Sequence, residues 1–305
     1  LGGLAFNIGN IGGASMGLNI VFGIDTTTAA AISGILGILL FASPKMGGVL
    51  DNTAKVLGTV MLALIGYVAF FTNPPVAEAV THAIVPTHYA WLATITLIGG
   101  TVGGYITFSG GHRLIDAGIT GREHLNDVRR AAFMGMSVDA IVRILLFLAV
   151  LGVVSMGFTL DPKDPAGSAF LLGAGEIGHK LFGIVFFCAA LTSVVGAAYT
   201  SVSFLKTLFK VVERYEKLTI MAFIFVSTCI LIFIGKPATL LIVAGSVNGL
   251  ILPVTLAVML LATRKTNIVG DYKHNPVLFY TGWIVVLVTA YIGVTSLQGI
   301  AKLLG

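Results

Sequence analysis

The chain has 305 residues, of which 56% are hydrophobic and 10% are charged. Soluble domains carry about 25% charged residues, so this composition excludes an ordinary soluble protein and indicates an integral membrane protein. The formal net charge of +5 arises from Lys and Arg in a few short loops. That distribution is typical of membrane topology and argues against nucleic-acid binding.

Nine apolar segments approach or exceed the roughly 17 to 25 residues that a helix needs to cross a bilayer. They lie at 4–23, 27–43, 54–71, 90–109, 131–157, 180–205, 218–235, 238–262 and 276–296. Most Lys and Arg residues fall in alternate loops, which we therefore expect in the cytoplasm. This predicts a bacterial cell-membrane protein whose first span starts in the cytoplasm and whose C-terminus lies outside.

The first span carries glycines at intervals of four residues, at Gly9, Gly13 and Gly17. This spacing lets two helix backbones approach closely in lipid, so we expect a tight contact with a neighbouring helix. Asn7 and Asn10 are three residues apart and share a helical face. Two interpretations stay open for them, namely interhelical hydrogen bonds or the polar lining of a permeation pathway.

The fourth span contains four glycines within six positions, and each costs a helix about 1 kcal/mol relative to alanine. We therefore predict a break between Gly99 and Gly104, near the middle of the bilayer. Irregular backbone persists in hydrocarbon only where it is buried in protein or lines a cavity, and broken spans hold the substrates of many transporters. The substrate-binding candidates here are Gly99, Gly100, Thr101, Gly103, Gly104 and Tyr105.

The fifth span contains the clearest intramembrane charges, Asp139 and Arg143, whose i, i+4 spacing places them on one face. An isolated charge at mid-bilayer costs roughly 3 kcal/mol on insertion scales. We expect a mutually neutralising pair that faces the helix bundle, with a role in the transport pathway as the alternative. The sequence contains neither a nucleotide-binding loop nor a recognisable catalytic set, which argues against an ATP-driven pump and against an enzyme.

The first span resembles the third transmembrane helix of the NRAMP family of divalent-metal transporters, with the sequence LAFNIGNIGGASMGLNIVFGI. The run Gly99–Tyr105 falls at that family's unwound sixth helix, normally Gly-Ala-Thr-Val-Met-Pro-His. Leu181–Ile184 resembles the start of the eighth helix, and the pair Leu252–Pro253 resembles part of the tenth. The chain is identified as a divergent member that is similar to NRAMP-related magnesium transporters.

The resemblance implies an all-α integral membrane protein with a LeuT-like inverted-repeat fold. The chain would hold family helices three to eleven, without the first two. One transmembrane domain would cover 1–305, with the end of the first repeat at 1–89, the second repeat at 90–265 and an added helix at 276–296. The expected partners are the lipid bilayer and the transported solute, without a cofactor or nucleic acid.

The resemblance also implies an altered metal site. In the family, the sixth helix is expected to supply a backbone carbonyl and a methionine sulfur; here these positions hold Gly100, which keeps its carbonyl, and Gly103, which has no side chain. Loss of sulfur favours oxygen ligands and ions such as Mg²⁺ or Mn²⁺. The family's tenth-helix glutamine maps to Ile251, and Asn248 lies one turn away as a candidate ligand.

Proton-coupled family members carry Asp, Glu and His at the positions that hold Asn7, Asn10 and Tyr105 here. None of these three titrates near neutral pH, so the resemblance implies a divalent-cation transporter or facilitator without proton coupling. A second interpretation stays open. Helix N–H groups near Gly103–Tyr105 would also suit the carboxylate of a small organic acid or amino acid on the same fold.

Overall fold

The computed structural model describes residues 2–101, 111, 114, 115 and 117–304, and the side chains of 44–51, 54, 207, 208, 298, 300 and 302–304 lie outside this description. The described part is almost entirely α-helical, which confirms the predicted fold class. Its helices are α1 (Gly2–Phe22), α2 (Thr26–Ala42), α3 (Pro44–Phe71), α4 (Val76–Ile84), α5 (Trp91–Thr101), α6 (Leu125–Ser155), α7 (Pro165–Leu208), α8 (Lys210–Arg214), α9 (Glu216–Ile234), α10 (Pro237–Ala262), α11 (Thr266–Val269) and α12 (Pro276–Leu304).

Each of the nine predicted spans coincides with a helix, but fewer of these helices can cross a membrane alone. Helices α6, α7, α9, α10 and α12 are individually long and apolar enough. Two bent pairs qualify only as pairs: α1 with α2 at 117°, and Lys55–Phe71 of α3 with α4 at 103°. The described residues thus give five to seven spans by length and composition. Helix α5 has 11 residues, and 102–109 of the predicted fourth span lie outside the description.

Helix α7 begins at Pro165, well before the predicted start at 180. Asp164 caps it, because its Oδ1 accepts a hydrogen bond from the Gly167 N–H at 2.9 Å. Gly175 interrupts the helix with φ 65° and ψ −169°, a conformation that glycine adopts without steric cost. The short N-terminal part is held by Phe170, which is buried and whose ring stacks on Phe182.

Helix α1 lies at the centre of the described bundle and packs against α2, α7, α9 and α10. Its glycines make this possible. A Cβ at Gly17 would lie 2.7 Å from the Phe187 nitrogen of α7, and one at Gly9 would lie 3.0 Å from Leu241 of α10. The predicted close packing is confirmed, with two neighbouring helices rather than one. Helix α10 in turn contacts α5 and α12, so it has α1 and α5 as neighbours, and we call this region of α10 the junction of α1, α5 and α10.

A candidate substrate site at the junction of α1, α5 and α10

Helices α5 and α10 cross at backbone-to-backbone distance. A Cβ at Gly99 would collide with the carbonyl oxygen of Gly245 and the nitrogen of Gly249, and one at Gly249 would lie 2.5 Å from the Ile95 carbonyl oxygen. Beside the crossing, the hydroxyls of Thr96 and Ser246 are hydrogen-bonded at 2.8 Å. Glycine at this point therefore allows close packing of the two helices.

The predicted break is wrong over its first three residues. Gly99, Gly100 and Thr101 are helical, and the Thr101 hydroxyl donates to the Leu97 carbonyl one turn back. The helical cost of Gly99 is offset by its contact with α10. Gly100 points the other way and is exposed, and no atom of the described residues lies within 4 Å of where its Cβ would be. The remaining candidates of this segment lie outside the described residues: Gly103, Gly104 and Tyr105.

Asn248 of α10 lies at the junction of the three helices. Gly245 and Gly249, beside Asn248, face α5. Four residues before Asn248, the Cβ of Ala244 lies 3.6 Å from where a Cβ of Gly9 in α1 would be. Helical spacing puts Asn248 on the side that faces α1. The residue is fully buried, and neither its Oδ1 nor its Nδ2 has a hydrogen-bond partner among the described residues. Because an unsatisfied buried amide costs about 1–3 kcal/mol, this group needs an explanation.

The two candidate asparagines of α1, Asn7 and Asn10, differ from each other. Asn7 is fully buried, and its Nδ2 donates to the Ser227 hydroxyl of α9 at 3.2 Å, which supports the interhelical interpretation. Its Oδ1 has no partner among the described residues, and neither has the buried Nδ2 of Asn10. The pathway interpretation of both residues stays a prediction.

The charged pair of α6 forms as predicted but does not face the bundle. Arg143 Nε donates to Asp139 Oδ2 at 2.8 Å, so the two charges neutralise each other. Their side chains are 41% and 47% exposed, respectively, because α6 packs mainly against α3 and leaves this face open in the described structure. The prediction of a bundle-facing pair is therefore wrong for the part of the chain described.

A cavity of about 500 Å³ opens where α1 ends and where α2, α7 and α10 begin. Its charged lining residues are Asp161, Lys163, Asp164 and Lys236. Pro237 also lines it and lies 3.2 Å from where a Cβ of Gly12 would be, so the cavity meets the α1–α10 contact. Asn248 lies about 16 Å of helix further along α10. In the predicted topology, this cavity lies on the outer side of the membrane.

Sequence reasoning missed the hydroxyl pair of Thr96 and Ser246 and the role of α10 as the partner of Gly99. A signal was available, because Gly245 and Gly249 repeat the four-residue spacing of the first span. The described residues contain no group of three or more His, Cys, Asp or Glu side chains that could hold a metal ion. Oxygen atoms of amides, hydroxyls and carbonyls are thus the ligands that this junction offers.

Comparison with known proteins identifies the family. The family model described as natural resistance-associated macrophage protein-like (Nramp) matches residues 1–298. The uncharacterized membrane protein YcsG of Bacillus subtilis is 51% identical over 297 residues, which are 97% of this chain and 74% of that protein. An uncharacterized membrane protein of Haemophilus influenzae is 50% identical over 290 residues, 95% of this chain and 73% of that protein. The chain therefore belongs to the Nramp family of membrane transporters for divalent metal ions.

Proposed function

We propose that this chain is a secondary transporter or facilitator that moves a divalent cation of the Mg²⁺ or Mn²⁺ type without moving protons. The observation that supports the proposal is the fully buried Asn248, whose amide atoms have no partner among the described residues. Amide oxygens are ligands that hard cations prefer, and they do not titrate. A cation that passes the junction would satisfy the Asn248 Oδ1 and remove the cost of leaving it unpaired.

The proposal places the cation between Asn248 and the carbonyl end of α5, near Ile98–Gly100, where the helix dipole is negative. The backbone carbonyls at this end supply oxygen ligands and leave the ion free to keep part of its hydration shell, as Mg²⁺ does. Position 103 holds glycine instead of the family's methionine, so it supplies no thioether sulfur, the ligand that favours soft ions. We therefore expect Mg²⁺ to compete with Mn²⁺ for uptake at comparable concentrations.

Replacement of Asn248 tests this site. In proteoliposomes, we expect Asn248→Leu to reduce Mg²⁺ and Mn²⁺ uptake by about tenfold or more, the factor that corresponds to ~1.4 kcal/mol. The same variant should be as thermostable as the parent or more so, because it removes an unsatisfied buried amide. Thr289→Val on α12 is a matched control, since Thr289 is also buried and its hydroxyl, in the part of the chain that is described, bonds only to carbonyls of its own helix.

Unchanged uptake by Asn248→Leu would contradict the proposed site and make Asn248 a structural residue. Calorimetry provides a separate test of substrate class. If neither ion binds the parent protein while a small carboxylic acid does, the cation proposal is wrong, and the organic-acid interpretation replaces it.

The absence of proton coupling is tested separately. Helix α1 contains no Asp, Glu or His, so it supplies no group that could relay a proton near neutral pH. A pH-sensitive dye inside proteoliposomes should show no substrate-dependent acidification during uptake. Acidification that persists after the membrane potential is dissipated would show that protons accompany the cation.

A further inference from the structure

Helix α4 is a short helix in the loop between the predicted spans 54–71 and 90–109. Asn73, with φ 45°, and two prolines precede it, and Pro86 follows it, so its ends are set by local chemistry. Its axis is bent by 103° from Lys55–Phe71 of α3. If α3 crosses the membrane, α4 lies close to the plane of the bilayer.

The apolar and polar residues of α4 lie on opposite faces. Val76, Val80 and Ile84 follow each other at intervals of four and are 49%, 55% and 76% exposed. On the opposite face, His82 Nε2 lies 3.7 Å from Glu78 Oε1. None of the nine residues of α4 is buried by the described part of the protein. The valine and isoleucine stripe thus has no protein partner there.

The depth of α4 is set by its neighbours. A cavity of about 350 Å³ separates its Glu78 and His82 side from Phe147, Leu151 and Ser155 of α6, and Ser155 is the last residue of that helix. Helix α4 therefore follows directly on the end of α3 and lies beside the last two turns of α6. Nearby in the chain, the rings of Tyr89 and Trp91 stack at 4.9 Å, and these residue types are enriched at membrane–water interfaces.

We propose that α4 is an interfacial helix that binds the surface of the lipid bilayer. Val76, Val80 and Ile84 enter the boundary between headgroups and acyl chains on the side away from α6, and the Glu78–His82 face meets water in the cavity beside α6. The segment from Thr72 to Ala90 contains no Lys or Arg, so anionic headgroups contribute no attraction. The lipid is recognised by apolar burial alone, and zwitterionic lipid suffices. This proposal is independent of the transported substrate.

Spin labelling of the full chain in phosphatidylcholine vesicles tests the proposal. Cys188 and Cys229 are first replaced by alanine, and single cysteines are then introduced along α4 and labelled. At Val76→Cys, Val80→Cys and Ile84→Cys, we expect relaxation by oxygen, which concentrates in lipid, to exceed relaxation by a water-soluble nickel complex several-fold. Glu78→Cys on the opposite face is the matched control and should show the reverse order.

Two outcomes would overturn the proposal. Preferential access of the nickel complex to the three stripe positions would place them in water. Low access of both reagents would mean that another part of the protein or a second copy covers the stripe. Addition of phosphatidylglycerol distinguishes the mode of binding. An unchanged oxygen-to-nickel ratio supports apolar recognition of zwitterionic lipid, and a several-fold increase would contradict it.

Discussion

Gly99 and Gly100 are chain neighbours with opposite environments, and they make a paired test at the scale of single residues. A Cβ at Gly99 would collide with the Gly245 backbone, whereas one at Gly100 would meet no atom of the described residues within 4 Å. We expect Gly99→Ala to destabilise the protein by about 1–3 kcal/mol or more through overpacking. Gly100→Ala should instead stabilise helix α5 by up to about 1 kcal/mol.

Thermal unfolding of the purified protein in detergent measures both variants of this pair. Equal stability of the two would mean that α5 and α10 do not approach at the Gly99 position as closely as described. Because both substitutions add the same methyl group one residue apart, a difference between them reports the helix crossing and not the change in residue type.

At the scale of elements, α2 depends on the cap at its first turn. Asp25 Oδ1 accepts hydrogen bonds from the N–H groups of Thr27 and Thr28 at 3.0 and 2.9 Å. Hydrogen bonds from the Thr28 side chain and backbone hold the pKa of Asp25 below its usual value. A depressed carboxyl pKa adds stability above the unfolded value of about 3.9, and this contribution is lost as the pH falls.

We therefore expect Asp25→Ala to lower the apparent melting temperature at pH 7, with a smaller difference from the parent as the pH falls towards 4 or below. Asp25→Asn should lose less at pH 7, because asparagine caps a helix nearly as well as aspartate. Melting curves over a pH series measure this. A constant difference between Asp25→Ala and the parent at every pH would contradict the proposed linkage.

At the scale of the whole molecule, the orientation of the bundle stays a prediction from loop charges. Lys236 and Lys265 flank the two ends of α10, whose 26 residues are enough to cross a membrane. We expect Lys236→Cys to react with an impermeant maleimide in intact cells and Lys265→Cys only after permeabilisation. The background variant without Cys188 and Cys229 controls for native thiols. The reverse pattern would mean that the orientation is opposite to the predicted one. Reaction of both cysteines in intact cells would mean that α10 does not span the membrane.

Local properties of the sequence determined the membrane environment, the approximate positions of nine helices, the family, the close packing of Gly9 and Gly17, and the pairing of Asp139 with Arg143. The environment and the helices follow from apolar segment length, the packing and the pairing follow from the spacing of residues one helical turn apart, and the family follows from the resemblance of the motifs. The short helix α4 was missed because nine amphipathic residues between prolines resemble a loop when only spans of membrane length are sought.

The tertiary structure decided the features that depend on residues distant in sequence. Helix propensity alone makes Gly99 a helix breaker, yet the backbone of α10, almost 150 residues later, turns the same glycine into a contact point within a helix. The lack of a partner for the Asn248 amide among the described residues and the open side of Asp139 and Arg143 there likewise depend on which helices are adjacent. Sequence spacing determines the face of a helix on which a residue lies, but only the packed bundle determines what that face meets.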